Sequence, residues 1–151
     1  ESRRPDVATP PDEPILMRTT ENRLIVLAAR KQEDFQGSSW FLNERIGFIY
    51  EEGLRHGLLE KWPEFPRFDF AEKLARGSNG GQIHAVPQGS DIMRGPGATL
   101  IHAEEVSFWT ELKRTLGGAQ PMLSGGGHFV MVSTANSASY ARDVIKNEVK
   151  P

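Results

Sequence analysis

The chain has 151 residues, enough for one domain with a genuine core and too few for two. A formal net charge of −2, with 38% hydrophobic and 25% charged residues, excludes a uniformly basic nucleic-acid binder, so any DNA contact has to come from a local patch. The absence of cysteine excludes disulfides and thiolate metal sites and fits a reducing cytosol; no apolar run approaches the roughly 18 residues of a membrane span, and no signal-peptide core is present.

Residues 1–22 hold four of the ten prolines and one short apolar patch, Ile15–Met17. They are expected to form an irregular arm, because each proline fixes φ and removes a donor. Arg23–Ala29, RLIVLAA, is a continuous apolar run with β-branched members, the pattern of a strand buried on both faces. Ser38 or Ser39 can then cap a helix whose Leu42, Ile46, Ile49 and Tyr50 share a face, with Gly53 as its stop. Residues 58–70, LLEKWPEFPRFDF, are broken by Pro63 and Pro66 and are expected to be an irregular connection that lays its aromatics on the core. Lys73–Val86 predicts two short strands around a turn of glycine and asparagine.

Ala98–Ala103, ATLIHA, predicts a second buried strand. Glu111–Leu116 predicts a short helix, with Met122 and Leu123 continuing the cover. His128–Ser133, HFVMVS, predicts a third buried strand. A last helix is expected to begin near Ser137 or Ser139 and to run through Val144. No internal repeat is visible. This alternation predicts an α/β domain over residues 23–151, with a mostly parallel sheet flanked by helices. In such sheets ligands sit beyond the carboxyl ends of the strands. Three polar segments fall at those ends: ARKQ after the first strand, the Glu104–Glu105 pair after the second, and STAN after the third.

An apolar strand ending in two carboxylates is the Walker B arrangement of nucleotide hydrolases. The first carboxylate holds Mg²⁺ and the second orients the water that attacks the γ-phosphate. Neighbouring positions suit the two tasks, because consecutive residues leaving a strand can face the metal and the water separately. The plain alternative is a strand running into solvent with two surface glutamates.

From Ser78 the chain reads SNGGQIHAVPQGSDIMRGPGATLIHAEEVSFW, and later GGGHFVMVSTANS. Together with RLIVLAARKQEDF and NERIGFIYEEGL upstream, this order resembles the ATPase domain of the large terminase subunit, the motor that packages viral (bacteriophage) DNA. The resemblance covers roughly residues 23–146. It implies a P-loop NTPase (ASCE)-like fold, incomplete within this chain, that uses ATP and Mg²⁺. It implies Glu104 as the metal carboxylate, where the family usually has Asp, and Glu105 as the catalytic glutamate. It implies Ser133, Thr134 and Asn136 as the coupling motif that senses the γ-phosphate, with Ala135 in place of the commoner proline. Arg94 takes the place of an arginine finger that reaches a neighbouring subunit's nucleotide, a role suited to a guanidinium. The implied partners are double-stranded DNA, a portal protein, a small terminase subunit and further copies in a ring, in the host cell cytoplasm and away from membranes.

A phosphate cradle of the form G-x-x-x-x-G-K-[ST] is missing from the 151 residues. ARKQEDFQGSSW offers Arg30, Gly37 and Ser38 or Ser39 for a looser version, but KQEDFQ separates arginine from glycine too widely. The cradle and the nuclease domain of full-length terminases are expected outside this chain, and Glu1 together with the unmatched arm is expected of a fragment, a processed chain or a truncated gene. Two further functional readings stand beside the motor: a non-catalytic remnant serving as a DNA-binding or interaction module, and a helicase-like P-loop NTPase fragment.

The four histidines lack ligand spacing, and His102 and His128 are expected to be hydrogen-bonded core residues. Ser124–His128, SGGGH, precedes a strand and predicts a turn. Trp40, Trp62 and Trp109 are expected to anchor the core or an interface. Arg67, Lys73 and Arg76 could touch a DNA backbone or equally form a solvated face.

Overall fold

A computed structural model describes residues 23–31, 37–89, 97–135 and 140–148. Among them six strands form one mixed sheet. They are β1 (Leu24–Ala29), β2 (Phe68–Ala71), β3 (Leu74–Gly77), β4 (Gln82–Pro87), β5 (Leu100–Glu104) and β6 (His128–Val132), in the spatial order β2-β3-β4-β1-β5-β6. The β4-β1-β5-β6 half is parallel, and β2, β3 and β4 form an antiparallel meander at one edge. The class is therefore α/β with a mostly parallel sheet, as the alternation of patterns predicts. The N-terminal arm lies outside the described residues.

Side-chain alternation along the strands builds two cores. On one face, Val26, Ala28, Val86, Ile101 and Ala103 join Val106, Trp109, Leu112, Ala119 and Ala141. The cover here is a 3₁₀ turn (Val106–Phe108), helix α3 (Leu112–Leu123) and helix α4 (Tyr140–Glu148). On the other face, Ile25, Leu27, Ile83, Ala85 and Ala75 pack with Leu42, Ile46, Phe68 and Phe70 beneath helix α1, residues 38–55. β1 is covered on both faces, as its unbroken apolar run demands.

Helix α1 differs from expectation in register and in length. Its segment Phe41–Gly47 is π-helical, between the α-helical Ser38–Trp40 and Phe48–Arg55. A widened turn advances the inward face by an extra position. Leu42, Ile46 and Tyr50 therefore face inward, whereas Ile49 is turned out and is 68% exposed. The helix also passes Gly53 and ends before Gly57, whose φ of 79° supplies the left-handed turn that Gly53 was expected to give. A single helical turn, α2 (Leu58–Lys61), follows.

The stretch expected to be irregular contains β2. Phe68 and Phe70 point to the core while Asp69 and Ala71 point out, and Pro66 stops just short of the ladder. The aromatics do pack as expected: Tyr50 lies 5.7 Å from the rings of both Phe68 and Phe70, and Phe68 N–H donates to Tyr50 Oη at 3.1 Å.

Helix α3 runs to Leu123, past Gly117, Gly118 and Pro121, and is twice the expected length. Gly118 and Ala119 are buried against the sheet, so packing outweighs their poor or neutral local preference. Pro121 sits in the last turn, where it removes one intrahelical donor but leaves little helix beyond it to disrupt. The predicted start of α4 at Ser137 or Ser139 lies outside the described residues.

β6 was expected to be buried and is not. It forms the sheet edge among the described residues, with Val130 and Val132 41% and 44% exposed. These two, with His128, His102 and Glu104, lie on the face of α1 but beyond its reach. No helix among the described residues is long and apolar enough to cross a membrane.

Candidate functional site

Four parallel strands deliver their carboxyl ends to one edge of the sheet: Pro87, Ala29, Glu104 and Val132, in spatial order. The chain leaves β1 toward the face of α1 and leaves β5 toward the face of α3, so the switch between them falls beside Glu104. Arg30 and Lys31 stand at the β1 end, Glu104 and Glu105 at the β5 end, and Ser133 and Thr134 at the β6 end.

Glu104 is the last residue of β5 and pairs with Val132. Its carboxylate shares a face with His102, two residues back, and its Oε1 lies 2.6 Å from His102 Nε2. A carboxylate only accepts, so the imidazole proton of this bond sits on Nε2. Trp109 Nε1–H donates to the Glu104 carbonyl at 2.9 Å while its ring fills the core, tying the strand end to the turn that follows. His102 is thus half-buried and bonded, but to the acidic pair and not to the core; His128 is exposed. The H-x-E spacing at 102–104 was the available signal, since residues i and i+2 of a strand share a face.

Glu105 leaves the strand in the left-handed region, with φ of 53°, the only non-glycine residue with positive φ among the described residues. Such a backbone costs roughly 1–2 kcal/mol for a side chain with a Cβ. The turn swings the carboxylate toward the end of β6. There Glu105 Oε2 accepts from Thr134 Oγ1–H at 3.1 Å, Thr134 N–H at 3.3 Å and Ser133 Oγ–H at 3.3 Å. The Ser133 oxygen in turn accepts from Ser107 N–H at 3.0 Å. Ser107 is a further contributor that motif order did not single out. Glu104 and Glu105 therefore diverge, one toward His102 and one toward the β6 end, which relieves the repulsion of adjacent anions.

Arg94 and Asn136 fall in segments outside the described residues. Glu104 fits a Mg²⁺ role only as a single carboxylate, with one oxygen already taken by His102. A Mg²⁺ site of this kind draws the rest of its octahedron from water and phosphate oxygens. No group of three or more metal-ligating side chains is present among the described residues. The alternative cradle at Gly37–Ser39 is not open: Ser38 N–H donates to Lys31 O at 3.0 Å, and both serine hydroxyls are buried without a partner among the described residues.

Of the tryptophans, Trp109 is a core anchor, Trp40 lies under Arg45 with 4.9 Å from guanidinium carbon to ring centre, and Trp62 is exposed. His84 is pushed below its ordinary 6.5 by burial first and by the Arg76 charge second, and it meets Gln82 Oε1 through Nε2 at 2.8 Å.

No protein-family model and no curated protein matches the chain. The motifs and the geometry at the strand ends are therefore what bear on its function.

Proposed function

We propose that the chain belongs to the ATPase core of a viral large terminase subunit, which couples ATP hydrolysis to the packaging of double-stranded DNA. One observation carries this: Glu105 and Thr134, 29 positions apart, meet at 3.1 Å across the carboxyl ends of adjacent parallel strands. Walker B and coupling motifs need that neighbourhood, because both act on one terminal phosphate.

In this reading Glu104 offers a carboxylate oxygen to the metal while His102 holds its other oxygen in place. Bound Mg²⁺ supplies positive charge against the phosphate oxygens. Glu105 orients the attacking water and accepts its proton. Thr134 and Asn136 register the γ-phosphate, and Arg94 reaches a neighbouring subunit's nucleotide. This reading requires a phosphate cradle, and the 151 residues hold no G-x-x-x-x-G-K-[ST]. Double-stranded DNA, portal protein, small terminase subunit and ring neighbours are the partners of this reading.

Titration with a fluorescent ATP analogue and Mg²⁺ tests it. Saturable, Mg²⁺-dependent binding that weakens in Glu104→Ala is expected. Absence of saturable binding would instead favour a non-catalytic interaction module, a reading that the occupied Ser38 N–H and the missing cradle motif already support.

A further inference from the structure

We infer that the outer face of α1 is a self-association surface: two copies of this chain pack their α1 helices antiparallel about a two-fold axis, crossing at Phe48 and Ile49. The inference goes beyond the ATPase reading and does not rest on it.

The apolar centre comes first. Phe48 and Ile49 are 58% and 68% exposed, the most exposed large hydrophobics among the described residues. They lie near the middle of residues 38–55, on the side away from Leu42, Ile46 and Tyr50. In an unbroken α-helix Ile49 would continue the inward row of Leu42 and Ile46. The π-helical segment Phe41–Gly47 prevents this and sets Ile49 beside Phe48 in solvent. Such π segments cluster at functional sites. Single exposed apolar residues are ordinary on a protein surface, but an isoleucine turned away from its own core next to an exposed phenylalanine is the centre of a contact patch.

The charges name the occupant. Position 45 lies as far before this centre as position 52 lies after it. In an antiparallel pair Arg45 of one copy therefore comes against Glu52 of the other, and the two-fold axis repeats the contact at the far end. Arg45 is exposed, and its guanidinium stacks over the Trp40 ring at 4.9 Å, which steadies the side chain and leaves its N–H groups for a carboxylate. Glu52 is held from its own helix, paired with Arg55 and 3.8 Å from His56 Nε2. Each end of the crossing then gathers Glu44 and Arg45 of one copy with Glu52 and Arg55 of the other, two acids with two bases. A parallel pair would instead set Arg45 on Arg45 and Glu52 on Glu52. The charge order thus complements itself in one direction only, as an isologous interface requires.

Sedimentation equilibrium of the intact chain tests this. A dimer is expected at about 100 μM, a level that populates even an interface of modest size. Arg45→Glu and Glu52→Arg should each be monomeric there, because each sets like charges together at both ends of the crossing. An equimolar mixture of the two variants should dimerise again, since the mixed pair has one native contact and one reversed contact. Ile49→Ser should be monomeric with an unchanged circular dichroism spectrum, because the side chain is already in solvent. A monomeric unmodified chain at that concentration, a dimer that persists in Ile49→Ser, or charge variants that fail to complement each other overturns the inference. A dimer lost in Val132→Ser and kept in Ile49→Ser would belong to the β6 edge and overturns it as well.

Discussion

The two sides of β5 are one strand in two environments. Ile101 and Ala103 face α3 and are wholly buried, whereas His102 and Glu104 face the half of the sheet that α1 does not cover. One side is built for stability, and the β5 side chains on it are apolar. The other keeps an acid and an imidazole near water, beside Val130 and Val132 of β6, as a surface that meets a ligand or another element has to.

That contrast can be broken most directly at Ile101. Ile101→Ala should destabilise the fold by about 2–5 kcal/mol in urea denaturation, because a fully buried side chain leaves a cavity. The turn after the strand is sharpened by a pair of variants. Glu105→Gly should exceed Glu105→Ala in stability by roughly 1 kcal/mol, since both lose the carboxylate and only alanine still strains the backbone. On the open side, Val132→Ala should change stability by no more than about 0.5 kcal/mol. A loss as large as that at Ile101 would mean the open face is covered in solution.

The smallest effect concerns His84, on β4. Its pKa is depressed in the fold, so below its ordinary 6.5 the unfolded chain takes up the proton first. Stability is full above about pH 6.5 and falls on acidification until the folded-state pKa is reached. His84→Gln should flatten that part of a stability–pH profile.

Much of this was legible in the chain. β1 announced itself because an unbroken apolar run can satisfy a strand covered on both faces. The strand ends were placed by Glu104 and Glu105, and by Ser133 and Thr134. What was hidden depended on neighbours. β2 is only four residues long just after two prolines, and its pattern has meaning only beside β3. The π turn in α1 leaves no mark in a spacing rule that assumes 3.6 residues per turn. Helix α3 crosses two glycines because the sheet beneath repays the lost preference. The contact of Glu105 with Ser133 and Thr134 needed the left-handed turn, and nothing in an acidic pair foretells which way the second residue will swing. The fates of Arg94 and Asn136 lie outside the described residues.

The bare half-face over β5 and β6 has a directional consequence. The crossover that leaves β1 for β4 travels one way along the sheet and lies on the side of α1; the crossover from β5 to β6 travels the opposite way and runs through α3 on the other face. Right-handedness ties side to direction. Any parallel strand set outside β6 and leading into β1 would travel with the first of these. Its connection would then be routed over His102, Val130 and Val132, and would arrive above the same rim where Glu104 and Glu105 part company.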